Sequence, residues 1–460
     1  VHSLSEGRQL TFAELLDQVK AVRRALADVG IGRGSCVASL VGNRPLFFPI
    51  VVACLDLGAA LLPIGEATDT EATAMLEEAG AAAVITDRQL PIASIRNVPL
   101  PDGVRALRLA DRPLPPAYGE SVVLKLTSGS TDLPRAALAN EQHLINDGRH
   151  IIDAMGIGST DVNLTYLPLS HSYAIGNVVM PLLLQGTAVA LRQSFSPSQF
   201  VHDVDASGAT VFPGVPFMFA HIRELSQIDR LPPRLRLLVT AGARIDPATV
   251  IWFRDRLNRK VHSFYGSSET GGIAYDDSDD VADPLHVGRA MPETRVEIRG
   301  ETGAGRIFVA GNAVVSGYAP AGRGDPASPF RDGGFLTGDI GYLDGENRVV
   351  LTGRGSPLVN IAGRKVDPAE VERVLAGLPG VVDARVLGVS CARRGQELVA
   401  FVVRSHSALT PIAIRQRCAG TLSPYKIPRR IIFIDQLPID ARGKIDRRAL
   451  EALAADPHDA

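Results

Sequence analysis

Apolar side chains at Phe12, Leu15, Leu16, Val19, Val22 and Leu26 recur three and four positions apart, the spacing that lines one face of a helix. A helix is therefore expected over Leu10 to Gly30, with Thr11 and Glu14 able to form a capping box at its start. Strand-like runs follow at Ser35 to Leu40 and Ala83 to Thr86. A second helix, near Leu46 to Leu57, runs through Gly58 into AALLPIG, much as Asn177 to Gln185 runs through Gly186 into TAVAL. The two units echo each other, too weakly to define a repeat.

Further strands are expected at Ala209 to Phe212, Arg236 to Thr240 and Lys260 to Phe264, with helical stretches between them. Such alternation predicts an α/β domain with mixed, mostly parallel sheets. From Thr294 the texture changes to short alternating runs, RVEIRG, GRIFVAG and RVVLTG, separated by glycine turns. These read as an antiparallel β section. Beyond about Gly355 a helix at Pro368 to Leu378, strands at Ala384 to Val389 and Glu397 to Val403, and a helix near Thr410 to Ala419 make a small α+β domain.

Composition narrows the functional classes. At 460 residues, 45% hydrophobic and 21% charged, the chain is an ordinary globular protein long enough for more than one core. A net charge of −2 provides no field to draw in nucleic acid or an anionic membrane. Cys36, Cys54, Cys391 and Cys418 are far apart and lack metal-ligand spacing, so neither a disulfide framework nor a zinc site is expected, and a reducing cytoplasm fits best. No basic-then-apolar leader opens the chain, and a start at Val1 is expected to lack a few native residues. The uncharged run Val162 to Leu191 could span a bilayer by length. Pro168, Asn177, Pro181, Gln185 and Gly186 interrupt it, so no membrane insertion is expected.

Four stretches could carry chemistry, although each alone also suits a plain polar turn or a solvated side chain. Thr127, Ser128, Gly129, Ser130 and Thr131 follow the strand-like run Ser121 to Leu126 and could aim hydroxyls and N–H groups at a phosphate. In FYGSSETGG, Tyr265 could stack on a base, Ser267 and Ser268 could bond phosphate oxygens, and Glu269 is a hard oxygen ligand suited to Mg²⁺. In GGFLTGDIGYLDGENRVVLTGR, Asp339 sits in a glycine-bounded turn and Arg354 at a strand end. There the carboxylate could accept both ribose hydroxyls. Lys444, on a glycine-flanked turn, could bring an ammonium to a reacting phosphate.

Taken in order, TSGSTDLPRAA, LPLSHSYAIG, VTAGARI, YGSSET, TGDIGYLDGENRVVLTGR, VNIAGRKVDPAEVE and PIDARGKIDRRAL resemble the signature series of the acyl-adenylate-forming superfamily, which includes acyl-CoA synthetases, adenylation domains and luciferases. The resemblance covers nearly the whole chain. It implies a large N-terminal domain, 1–354, and a small mobile C-terminal lid, 355–460, that rotates between two half-reactions. ATP and a carboxylic acid give an acyl-adenylate and pyrophosphate; a thiol of CoA, or of a phosphopantetheine-bearing carrier protein, then displaces AMP.

By motif position, the resemblance places Thr127, Ser128, Gly129, Ser130 and Thr131 on the β and γ phosphates. It places Tyr265 on adenine, with Gly242, Ala243 and Gly266 lining the pockets, and Ser268 on the α-phosphate. Glu269 falls on Mg²⁺, Asp339 and Arg354 on the ribose, and Lys444 at the adenylation step. His171 and Tyr173 lie where 4-coumarate:CoA ligase presents a histidine and a tyrosine to its acid, with Phe212, Val215, Pro216 and Ser267 expected around them. No basic residue here matches a second carboxylate, which favours an aryl or medium-chain acid. Asp132, Arg135 and Ala136 depart from the glycine, lysine and glycine usual in the phosphate loop, and Ser356 from the usual hinge residue. A relative that binds nucleotide or acyl ligand without turnover is the alternative of another class.

Overall fold

The computed structural model describes residues 1–110, 118–127, 135–225, 228–278, 286–300, 303–319, 329–354, 358–391, 395–406, 409–438 and 445–455. They fall into two compact units. One is built from Val1–Gly65, Leu76–Thr127 and Arg135–Ser356, the other from Pro357–Ala460 together with Glu66–Met75.

Helix Phe12–Asp28 begins as its sequence dictates. The Thr11 hydroxyl accepts the Glu14 N–H at 3.2 Å, and the Glu14 carboxylate accepts the Thr11 N–H at 2.7 Å. Leu15, Val22 and Leu26 are buried on its inner face, whereas Phe12 and Leu16 are exposed. Strand Ala83–Thr86 has the expected bounds. The two echoed units both end a helix on a glycine in the left-handed region, Gly58 after Phe47–Leu57 and Gly186 after Met180–Gln185, and both then enter a strand, Ala60–Pro63 and Ala188–Leu191. Glycine is favoured there because a Cβ is strained at positive φ. The helix expected from Asn177 differs at its start: Ile175–Val179 is a π-helical turn, and the α-helix begins at Met180.

Two large sheets organise the first unit. In the nine-stranded sheet every join from Val261–Ser267 through Leu237–Thr240, Val211–Gly214, Val162–Thr165 and Ala188–Leu191 to His2–Ser3 is parallel. Gly271–Tyr275 and Arg289–Ala290 extend it antiparallel. The eight-stranded sheet has a parallel centre of Ser121–Thr127, Ala60–Pro63, Cys36–Leu40 and Ala83–Thr86, with Arg135–Asn140 and Tyr318–Ala319 added antiparallel at one side. These inner strands are buried on both faces, which is why they read as continuous apolar runs. One apolar core joins the helices and both sheets, including Leu26, Phe48, Ile50, Leu61, Val178 and Phe212. The β section after Thr294 is antiparallel, with Thr294–Arg299, Gly305–Gly311, Gly334–Leu343 and Val349–Arg354 pairing in turn.

The second unit has its own core around Val371, Leu375, Val386, Leu398 and Ile414. Its sheet carries Val381–Cys391 and Gly395–Arg404 as a long antiparallel pair, with Arg430–Phe433 added in parallel. Helices Pro368–Ala376 and Pro411–Cys418 fall within the expected stretches. Among the described residues no helix is long and apolar enough to cross a membrane.

Candidate active site

Strand Val261–Ser267, the turn Ser268–Thr270 and strand Gly271–Tyr275 carry Tyr265, Gly266, Ser267, Ser268 and Glu269 of the expected site residues. The ladder shifts register between Tyr265 and Gly266. A Cβ on Gly266 would lie 2.6 Å from the Gly271 carbonyl oxygen, so only glycine allows the two strands this close approach. Tyr265 is buried beside Ile273, Ala274, Ile307 and Val349. Its hydroxyl donates to Asp339 Oδ2 at 2.8 Å.

Asp339 does not occupy the turn expected of it. It lies inside the strand Gly334–Leu343, directly opposite Arg354 in the ladder with Val349–Arg354. Gly341, two positions on, reflects packing: a Cβ there would meet the Val350 carbonyl oxygen at 2.3 Å. The Asp339 N–H donates to the Thr337 hydroxyl at 3.1 Å, and the carboxylate is buried with the Tyr265 hydroxyl.

At the turn, Glu269 is fixed at three points. Its N–H donates to Ser267 Oγ at 3.2 Å, its carbonyl accepts the Val315 N–H at 2.8 Å, and its Oε1 accepts the Tyr318 hydroxyl at 2.7 Å. Burial, reinforced by the Glu269 carboxylate, holds the Tyr318 phenol well above the usual tyrosine range, so it remains a donor. Among the described residues no lysine, arginine or histidine pairs with Glu269. Ser268 Oγ lies 2.7 Å from Ser172 Oγ, which ties Ser268 to the residue after His171. Ser267 Oγ is engaged within its own turn, 3.0 Å from Thr270 Oγ1.

The loop expected to hold phosphates is described only at its two ends. Thr127 closes the neck, its hydroxyl donating to the Arg135 carbonyl at 3.1 Å. Arg135 places its guanidinium 5.7 Å from the centre of the Tyr318 ring. Ser128, Gly129, Ser130, Thr131, Asp132 and Lys444 lie outside the described residues, as do Ser356 and the side chain of Arg354. On strand Ser121–Thr127, Lys125 is buried 3.9 Å from the equally buried Asp147. Asp147 Oδ1 accepts the Gly272 N–H at 2.8 Å. Sequence patterns gave no sign of this pair, because Lys125 sits in a strand and Asp147 in helix Glu141–Met155.

Gly242, with φ +84, and Ala243 follow strand Leu237–Thr240. His171 is exposed at the start of the short helix Ser172–Ala174. Tyr173 stacks on Phe264 with ring centres 5.8 Å apart, and its hydroxyl donates to the Val239 carbonyl at 3.3 Å. Val215 and Pro216 begin helix Pro216–Glu224. The Phe212 ring is fully buried among Tyr166, Phe200 and Phe219, in the same apolar cluster as Val215.

No three His, Cys, Asp or Glu side chains converge among the described residues. A resident all-protein metal cage is therefore not what the described residues present. A single half-buried carboxylate, Glu269, suits Mg²⁺ that takes its other oxygens from phosphates and water.

The AMP-binding enzyme family model matches residues 1–319, and its C-terminal domain model matches residues 370–444. The chain belongs to the AMP-binding enzyme family. A sulfoacetate–CoA ligase of Cupriavidus necator is 27% identical over 97% of this chain and 93% of its own length. A feruloyl-CoA synthase of an Amycolatopsis species is 29% identical over 95% and 93%. Among solved structures, a malonyl-CoA ligase with methylmalonyl-CoA and AMP bound superposes with a TM-score of 0.80 at 26% identity, covering 94% of this chain and 95% of that one.

Proposed function

We propose that this chain activates a carboxylic acid with ATP and transfers the acyl group to CoA. The observation that carries this reading is the single strand and turn from Tyr265 to Glu269, bonded to Asp339 at one end and to Tyr318 and Ser172 at the other. Adenine would stack against Tyr265, and Asp339 with Arg354 would accept and orient the ribose. Thr127 and the loop Ser128 to Thr131 would hold the β and γ phosphates, with Ser268 beside the α-phosphate.

In the first step a carboxylate oxygen attacks the α-phosphorus, a P–O bond forms, and pyrophosphate leaves with its electron pair. Mg²⁺, bound through Glu269, would neutralise polyphosphate charge. Lys444 would stabilise charge developing at the α-phosphate. In the second step the thiol sulfur, having lost its proton, attacks the acyl carbon and AMP leaves. A thiolate can drive this because AMP is a far better leaving group than the original carboxylate oxygen.

The stacked Tyr173 and Phe264 rings, with Val215 and Pro216, favour a flat aryl or medium-chain acyl group. His171 would lie toward the carboxylate end. The boundary near Arg354 would separate the nucleotide-binding unit from a lid that carries Lys444.

Incubation with an aryl acid, ATP and Mg²⁺, followed by either free CoA or a pantetheine-bearing carrier protein, tests the acceptor. Formation of the CoA thioester supports the proposal. Efficient carrier loading with no CoA thioester would replace CoA with the carrier protein as acceptor.

A further inference from the structure

The segment Val315 to Ala319 touches both stretches expected to handle the polyphosphate. Strand Tyr318–Ala319 pairs with Arg135–Asn140, the return arm of the phosphate loop, with Tyr318 opposite Ala137. The backbone reinforces this: Leu138 N–H donates to the Gly317 carbonyl at 2.9 Å. Three residues earlier, the Val315 N–H holds the carbonyl of Glu269 at 2.8 Å. The same short segment thus fixes the main chain of Glu269 and then presents the Tyr318 hydroxyl to its carboxylate at 2.7 Å.

The Tyr318 ring is itself constrained. Phe330 meets it edge-on with centres 5.1 Å apart, and Phe335 stands 6.5 Å away. Arg135 lies over the ring. An aromatic side chain has only two side-chain torsions to lock, and here three neighbours lock them. The hydroxyl therefore reaches Glu269 from a rigid base, as a partner that orients a metal-binding group must.

We propose that Tyr318 is the positioning residue for the divalent cation of MgATP, acting only through Glu269. Its hydroxyl binds Oε1 and thereby sets the carboxylate plane, so that the carboxylate meets the cation in one orientation. Arg135 holds the ring that does this, which gives the substituted basic position of the loop a part in cation binding as well as in phosphate charge. The inference rests on the reading of Glu269 as the Mg²⁺ carboxylate.

Tyr318→Phe deletes the hydroxyl and leaves the ring packing in place. The test is Mn²⁺ affinity in the presence of a non-hydrolysable ATP analogue, read by electron paramagnetic resonance, beside nucleotide affinity in EDTA. Loss of a partner to a metal-binding carboxylate costs roughly 10- to 100-fold in metal affinity. Tyr318→Phe is expected to weaken Mn²⁺ by that factor while metal-free nucleotide affinity and the melting temperature of the free protein stay unchanged. In a Glu269→Gln background the same change is expected to have no further effect, since the route to the cation is gone. Unchanged Mn²⁺ affinity in Tyr318→Phe, with Glu269→Gln impaired, overturns the role of Tyr318. Equal weakening of metal-free and metal-loaded nucleotide binding also overturns it, in favour of a purely structural role. Unchanged affinity in Glu269→Gln overturns the assignment of Glu269 on which the inference stands.

Discussion

The Tyr265 hydroxyl donates to Asp339 Oδ2 across 2.8 Å, joining the residue expected against adenine to the one expected at the ribose. Both side chains are buried. The bond aligns the aromatic face and the carboxylate before nucleotide arrives. Tyr265→Phe keeps the face and removes the hydroxyl's hold on the carboxylate. The KM for ATP is expected to rise about tenfold, equivalent to about 1.4 kcal/mol, with the KM for the acid unchanged. Steady-state kinetics varying each substrate in turn decides the matter; an equal rise in both constants would show a general disturbance of the site.

Lys125, on strand Ser121–Thr127, and Asp147 form a buried pair. Asp147→Asn still offers an oxygen to the Gly272 N–H but leaves the ammonium without its carboxylate. Breaking a buried pair on one side costs about 3 to 5 kcal/mol. Urea unfolding should show a loss in that range for Asp147→Asn, and partial recovery in the double variant Lys125→Met with Asp147→Asn. A double variant less stable than Asp147→Asn alone would show that Lys125 is held chiefly by other groups.

His143 gives the fold a pH dependence. Its ring Nδ1 accepts the Asn140 N–H at 3.2 Å, completing the cap of helix Glu141–Met155. Burial, then the nearby Lys125 charge, lowers its pKa from the usual 6.5. Folding therefore favours the neutral ring: its contribution is complete above about pH 6.5 and is lost as pH falls through the lowered folded value. His143→Gln retains a capping side chain at this position. The wild-type melting temperature is expected to drop more steeply than that of His143→Gln on going from pH 7.5 to below 6. Parallel curves would remove His143 as the cause.

Much of the scaffold was legible because it rests on local chemistry. The Thr11 and Glu14 cap, strand Ala83–Thr86 and the left-handed glycines Gly58 and Gly186 are each decided by a few adjacent residues. The ties that assemble the candidate site are not local. Glu269 and Tyr318 are 49 positions apart, Tyr265 and Asp339 are 74, Ser172 and Ser268 are 96, and Asp147 and Gly272 are 125. Motif order pointed to Glu269, Tyr265 and Asp339, yet no spacing pointed to Tyr318, Ser172 or Asp147. One local reading also misled. Asp339 was expected in a turn because glycines flank it, whereas it lies inside a strand where Gly341 permits close packing.

Lys444, if it acts as proposed, serves the first half-reaction and not the second. An electrostatic group that acts at the transition state contributes roughly 100- to 1,000-fold. Lys444→Ala should slow adenylate formation by about that factor and leave thiolysis of supplied acyl-adenylate within about twofold of wild type. Equal loss in both steps, measured by quenched flow, would refute its assignment to the first step alone.

Acid-dependent exchange of labelled pyrophosphate into ATP tests the proposed activity most directly, because it requires the acyl-adenylate to form and reverse on this protein. Exchange is expected to be absent without acid, to appear with aryl or medium-chain acids, and to be abolished by Glu269→Ala. ATP binding with no exchange across a broad panel of carboxylic acids would contradict the assignment and favour a nucleotide-binding relative without turnover.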